Sequence, residues 1–141
     1  MGKVIVKNVL LKNHEDEILA GRGYIKQEEV RSVTLDMIAN TGTIEVGLPE
    51  SIIEKLGLPF KKEVKTRLAD GTTKKRQMYK DLTVCIGDRE TQVPCIGKPE
   101  GAPMLLGQTV FEHMSLVVDC PKQRVMPHPE ETDGLMLFED Y

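Results

Sequence analysis

Tryptophan is absent from this 141-residue chain, and three Tyr and three Phe supply all of its aromatic surface. A core must therefore be assembled from Val, Ile, Leu and Met. Long apolar runs are missing too: no stretch approaches the roughly 18 to 20 residues that a bilayer-spanning helix requires. The short apolar run at Met1–Val6 lacks the small-residue cleavage site of a secretory leader. These absences give the expectation of a cytoplasmic protein with no membrane partner. Excess positive charge is also lacking, since the formal net charge is -3. Lys61, Lys62, Lys74, Lys75 and Arg76 cluster locally, but acids surround them and no aromatic stacking platform accompanies them, so they read as a solvated hairpin face and no nucleic-acid partner is expected. The three cysteines, Cys85, Cys95 and Cys120, lack CxxC pairing and lie in apolar, strand-like surroundings. They read as buried reduced thiols in a reducing compartment. His14, His113 and His128 are scattered without metal-ligand spacing, so neither a metal nor another cofactor is expected.

What is present is a chain with 40% hydrophobic and 29% charged residues, in keeping with one globular domain. Short segments rich in Val, Ile and Leu alternate with turn residues. Lys3–Lys12 reads as a strand, followed by a turn at Asn13–Asp16 and an unassigned stretch, 17–31, with a loop at Gly21-Arg22-Gly23. Ser32–Ala39 is a strand with Val33, Leu35 and Met37 on one side, and it runs into the sharp turn Asn40-Thr41-Gly42-Thr43. Ile44–Leu48 is a second short strand. Pro49 then opens a helix over Glu50–Leu56, with Pro at the first helical position and Gly57 as the stop. Asp70-Gly71 between 63–69 and 72–79 is a strong hairpin signal. A second hairpin joins Leu82–Ile86 to Thr91–Ile96. After a loop at Pro99–Pro103, Leu105-Leu106-Gly107 precedes a short helix, Gln108–Met114, and a strand, Leu116–Asp119. Many short strands at close spacing predict a small, mostly-β barrel or sandwich.

Two of these pieces together resemble the retropepsin-like aspartic proteases, in the single-domain form found in prokaryotes. The first is Leu35-Asp36-Met37-Ile38-Ala39-Asn40-Thr41-Gly42-Thr43, continuing through Val46-Gly47-Leu48-Pro49 to Leu56-Gly57-Leu58. That family leads a hydrophobic strand into Asp-Thr-Gly-Ala/Ser/Thr, then a short strand and a Leu-Pro-led helix ending in Leu-Gly-Leu. The second is Met104-Leu105-Leu106-Gly107-Gln108, similar to the family's hydrophobic-hydrophobic-Gly segment behind the catalytic loop. Between them, Leu68-Ala69-Asp70-Gly71-Thr72 falls where the family has its flap. The likeness covers roughly residues 33 to 120, and it is the order of the four pieces that makes it specific.

The resemblance implies a small closed acid-protease barrel with one or two short helices, occupying residues 1–126, with an N-terminal strand and variable segment over 1–31. It also implies an aspartic endopeptidase that acts on peptides or unfolded protein. The catalytic positions would be Asn40, Thr41 and Gly42. Thr43, Ala69, Asp70, Gly71, Thr72, Leu105, Leu106 and Gly107 would border the substrate. Family members pair two carboxylates, one from each subunit, which share a proton because like charges so close cannot both ionise. One carboxylate activates a water while the other protonates the scissile carbonyl. A chain with one such loop needs a C2 homodimer to build the pair. Thr41 would brace its symmetry mate, and Gly42 would allow the close approach.

Asn40 departs from the family pattern, which has Asp there. The amide keeps the carboxylate's shape and hydrogen-bonding reach but has no titratable proton. Removing an acid–base group costs roughly 10²–10⁴-fold in rate, and removing both from a symmetric pair should abolish turnover. The completeness of the remaining motif favours an introduced Asp→Asn change, giving an inactive mutant. The alternative is a natural pseudo-protease that binds or recognises peptides without cleaving them. Asp36, Asp70 and Asp119 read as strand-end or turn residues and do not replace the missing acid. The acidic, Pro-containing stretch 127–141 reads as a C-terminal tail. Its apolar tetrad Leu135–Phe138 has three readings: a terminal interface strand, an unstructured end, or a substrate mimic in a neighbouring cleft.

Overall fold

The fold is mostly β, as the turn-punctuated sequence implies, and among the described residues three short α-helices and one 3-10 turn accompany nine strands. It is taken from a computed structural model that describes residues 3–128; Leu135–Phe138 lie outside them. The strands are β1 (Val4–Asn13), β2 (Ser32–Ala39), β3 (Val46–Pro49), β4 (Phe60–Arg67), β5 (Thr73–Ile86), β6 (Arg89–Lys98), β7 (Leu105–Leu106), β8 (Leu116–Asp119) and β9 (Arg124–Pro127). Seven of them form one sheet in the order β1-β2-β7-β3-β6-β5-β4, and an additional pairing joins β1 at one end to β5, next to the other end. Six strands thus close into a ring, and β4 stands outside it, hydrogen-bonded to β5 alone. β8 and β9 form a separate antiparallel hairpin.

Closure depends on a change of parity in β1. Val4 and Val6 are buried, then the buried positions shift to Val9, Leu11 and Asn13. A side-chain period of two cannot do this without an extra residue. The register against β2 slips between Val6 and Val9, and Asn8 there has φ 58. Its N–H donates to Asp36 Oδ1 at 3.0 Å. Asn tolerates the left-handed region better than most residues. Beyond the bulge, Leu10–Asn13 pair with Leu82–Cys85 of β5 and shut the ring.

The core inside is aliphatic, as the aromatic poverty requires. Leu11, Met37, Leu48, Leu56, Leu82 and Leu106 are fully buried, with Phe111 the largest side chain among them. Helix α2 (Glu50–Leu56) contributes Ile53 and Leu56, and α3 (Gln108–Met114) contributes Val110, Phe111 and Met114. Gly57 ends α2 in the left-handed conformation at φ 65, the usual helix stop. Pro49 is the residue before the first helical one, and it also closes β3, so the expectation that it opens the helix from inside is off by one position.

Other sequence expectations need larger correction. Asn13–Asp16 is no simple turn: Asn13 caps a third helix, α1 (His14–Gly21), by accepting the Asp16 N–H at 2.9 Å. The count of one or two helices is therefore too low. The strand expected from Ile44 starts at Val46, because Thr43 and Ile44 give their carbonyls to the N–H groups of Gln108 and Thr109. The two hairpins expected around residues 63–96 share one 14-residue strand, β5. Pro127, expected to begin the tail, completes β9, and the His128 N–H donates to Ser115 at 2.8 Å. Of the three thiols only Cys95 is buried; Cys85 is partly exposed and Cys120 exposed.

Candidate functional site

The turn at the end of β2 is held from behind by β7. Ile38 and Ala39 pair in parallel with Leu105 and Leu106, and the Asn40 N–H donates to the Leu106 carbonyl at 2.9 Å. The chain then reverses over three residues. Asn40 Oδ1 accepts the Gly42 N–H at 2.9 Å, and the Thr43 N–H and hydroxyl both reach the Asn40 carbonyl at 3.2 Å. Asn folds this turn with its own side chain, a common use of Asn and Asp. A carboxylate oxygen at the same place would accept the same Gly42 bond. Thr41 and Gly42 are exposed, and Asn40 is partly so.

Gly107 explains how tightly the loop is seated. A side chain there would overlap the carbonyl oxygens of Ile44 and Glu45. Those are backbone atoms and cannot swing aside. The glycine therefore lets the start of α3 tuck under the residues that follow the turn, where Gln108 and Thr109 donate to Thr43 and Ile44 at 2.8 and 3.2 Å.

Beside the loop lies a cleft of about 450 Å³. Its floor includes Gly42, Thr43, Val46 and Leu105, and its other wall is Val64–Leu68 with Met78 from the β4–β5 hairpin. Ile44, which is 69% exposed, stands at its edge. Lys65, Arg67 and Lys98 bring positive charge to this lining, and Glu45 brings one carboxylate. Lys98 is held below the ordinary lysine value, first by burial and then by the charge of Arg76. A cavity of this size, largely apolar with a few charged groups, fits the usual form of a ligand site.

The expected site residues divide into three groups. Asn40, Thr41, Gly42 and Thr43 form one turn, and Gly42, Thr43 and Leu105 line the cleft. Leu106 and Gly107 are buried behind the turn and act as its support. Ala69, Asp70, Gly71 and Thr72 make the exposed hairpin tip and are not brought to the lining, whereas Leu68 is. Asp70 accepts both the N–H and hydroxyl of Thr72 at 2.9 and 2.6 Å, and these bonds lower its pKa. Asp36 is engaged with Asn8 and Asp119 with Arg124, at 3.0 and 3.7 Å. A scan of protein-family models and a search of curated proteins found no match to the chain.

Sequence reasoning missed two features. Lys98 and Glu45 of the cleft carry no motif that singles them out in the sequence; the parallel β3–β6 pairing brings their segments to one cavity. The second is a buried polar brace remote from the cleft. Asn13, 1% exposed, donates its amide to the Leu56 and Gly57 carbonyls at 2.8 and 3.2 Å while capping α1. Asp16 accepts the Arg31 N–H, Nε and Nη2 at 3.0, 2.8 and 3.0 Å. Among the described residues no group of three or more His, Cys, Asp or Glu is arranged to hold a metal, and no helix is long and apolar enough to cross a membrane.

Proposed function

We propose that this chain is the scaffold of a retroviral-type aspartic endopeptidase, working as a homodimer in its Asp form and disabled here by Asn40. The observation that supports it best is the shared cleft: Gly42 and Thr43, the residues that complete the Asn40 turn, line one side and the β4–β5 hairpin the other. A six-stranded ring with two parallel contacts behind the turn suits the small acid-protease barrel that the motif order implies.

In the Asp form, each subunit would give one carboxylate at position 40, oriented by the Gly42 N–H that now bonds the Asn amide oxygen. Two such groups at a two-fold axis would share a proton. One would take a proton from water as it attacks the peptide carbonyl, and the other would donate to the carbonyl oxygen. The Asn form keeps the turn and the cleft but has no group to move the proton. It is therefore a peptide-binding protein without turnover.

The test is Asn40→Asp, assayed on unfolded protein from acidic to neutral pH with and without a pepstatin-like inhibitor. We expect inhibitor-sensitive cleavage at least 10²-fold above the parent chain. A folded, dimeric Asp variant with no activity across that range would leave the second reading, a peptide-binding module that needs no acid at position 40.

A further inference from the structure

The charges in the cleft are not balanced, and this says which peptides it takes. Lys98 lies at the end of β6 with its side chain laid over Gly47, close enough that a Cβ there would meet its Cε at 3.1 Å. It lines the cavity and is only partly exposed. No carboxylate among the described residues pairs with it, and the charge of another cation, Arg76, acts on it. Arg76 itself has a buried Nε with no hydrogen-bond partner. On the other side of the ledger, Glu45 lines the same cavity, and its Oε2 is buried without a donor.

Buried polar atoms are normally satisfied, and an orphan needs a reason. A cation without a counter-ion beside a second cation is costly in the empty site and gains most from an arriving anion. An orphaned carboxylate oxygen gains from an arriving N–H. A free inorganic anion would answer the first need and be repelled by Glu45. An extended peptide answers both, since it carries a carboxylate on one residue and backbone N–H groups along its length, while its apolar side chains meet Val64, Leu68, Met78 and Ile96.

We infer that the cleft selects extended peptides bearing an Asp or Glu between apolar residues, with the acidic side chain received at Lys98. This deepens the reading of the cleft as a peptide site and rests on it. Lys98 is then a specificity-determining residue, and it has no part in proton transfer.

The Asn40 chain suits the test because it cannot consume its ligand on that reading. A fluorescent apolar heptapeptide is made with Glu at each successive position and, as a second set, with Gln. Affinities are measured by anisotropy at low and high salt. At one or two positions Glu should bind about three- to tenfold tighter than Gln, with the difference shrinking as salt rises. Lys98→Gln should remove the difference and Lys98→Arg should keep it; Arg76→Gln, which takes away the neighbouring cation, should reduce it if Lys98→Gln fails to fold. Equal binding of Glu and Gln at every position would overturn the inference and leave the peptide cleft standing. No binding by either set would overturn both.

Discussion

At the scale of single residues, the side chains that matter most are short polar ones that replace backbone partners. Asn40 and Asn13 each fold a turn or helix end with one amide oxygen. Asp16 does the same for the Arg31 segment and is tied to it by a charge as well. The Arg31 hydrogen bond lowers the Asp16 pKa more than burial raises it. An acid depressed in the folded state contributes stability above its unfolded value of about 3.9 and loses it as pH falls through the lower folded value. The parent should therefore lose stability below about pH 4 more steeply than Asp16→Asn, and at pH 7 that variant should be weaker by roughly 1–3 kcal/mol. Urea titrations at pH 7 and pH 3 measure both. Equal losses on acidification in the two proteins would show that Asp16 carries none of the pH response.

Secondary-structure elements differ in how readable they were. Helix α2 announces itself through Pro49, Glu50 and Gly57, because its end signals are local. Helix α1 does not: only Asp16 and Ala20 are buried along it, so there is no apolar stripe to read. The signal that could have found it is Asn13 followed by Glu15, Asp16 and Glu17, a cap with three acids in the first turn. The Asn40 turn was legible for the same local reason as α2. Ring closure was not, since it pairs Leu10–Asn13 with Leu82–Cys85 and no short pattern encodes a partner 70 residues away. Pro94 sits inside β6 opposite the register slip between Tyr79 and Leu82, where no ladder donor is needed. The element beneath the Asn40 turn gives a prediction. Gly107→Ala in the Asn40→Asp background should cut kcat by about tenfold or more, because displaced catalytic geometry is expensive. The chain should remain folded by circular dichroism. Undiminished activity would mean that α3 does not seat the turn.

For the whole molecule, one described chain supplies one Asn40 turn, with Thr41 and Gly42 on its surface. The two-carboxylate scheme therefore makes the quaternary state decisive. Sedimentation across a range of concentrations should show a two-chain species, and Thr41→Arg should drive it to monomer by placing two cations at the two-fold axis. A parent that stays monomeric at the highest concentration would remove the shared-acid scheme and leave a cleft that works alone.

The β4–β5 hairpin and the closed ring of strands are continuous in β5. Thr73–Gln77 are laced to β4 alone, Met78 and Tyr79 to both β4 and β6, and from Leu82 the strand is laced to β6 and β1. Between them Lys80 and Asp81 drop out of register, Asp81 takes φ 63, and the Lys80 N–H turns to the Pro59 carbonyl. Mechanically this is a cantilever whose free length is Thr73–Gln77, held at Met78 and Tyr79 by β6 and backed by the knuckle at Lys80–Asp81. A load on the tip should bend the beam beyond Met78, where β4 alone supports it, and leave the wall carrying Leu82 and Val84 in shape.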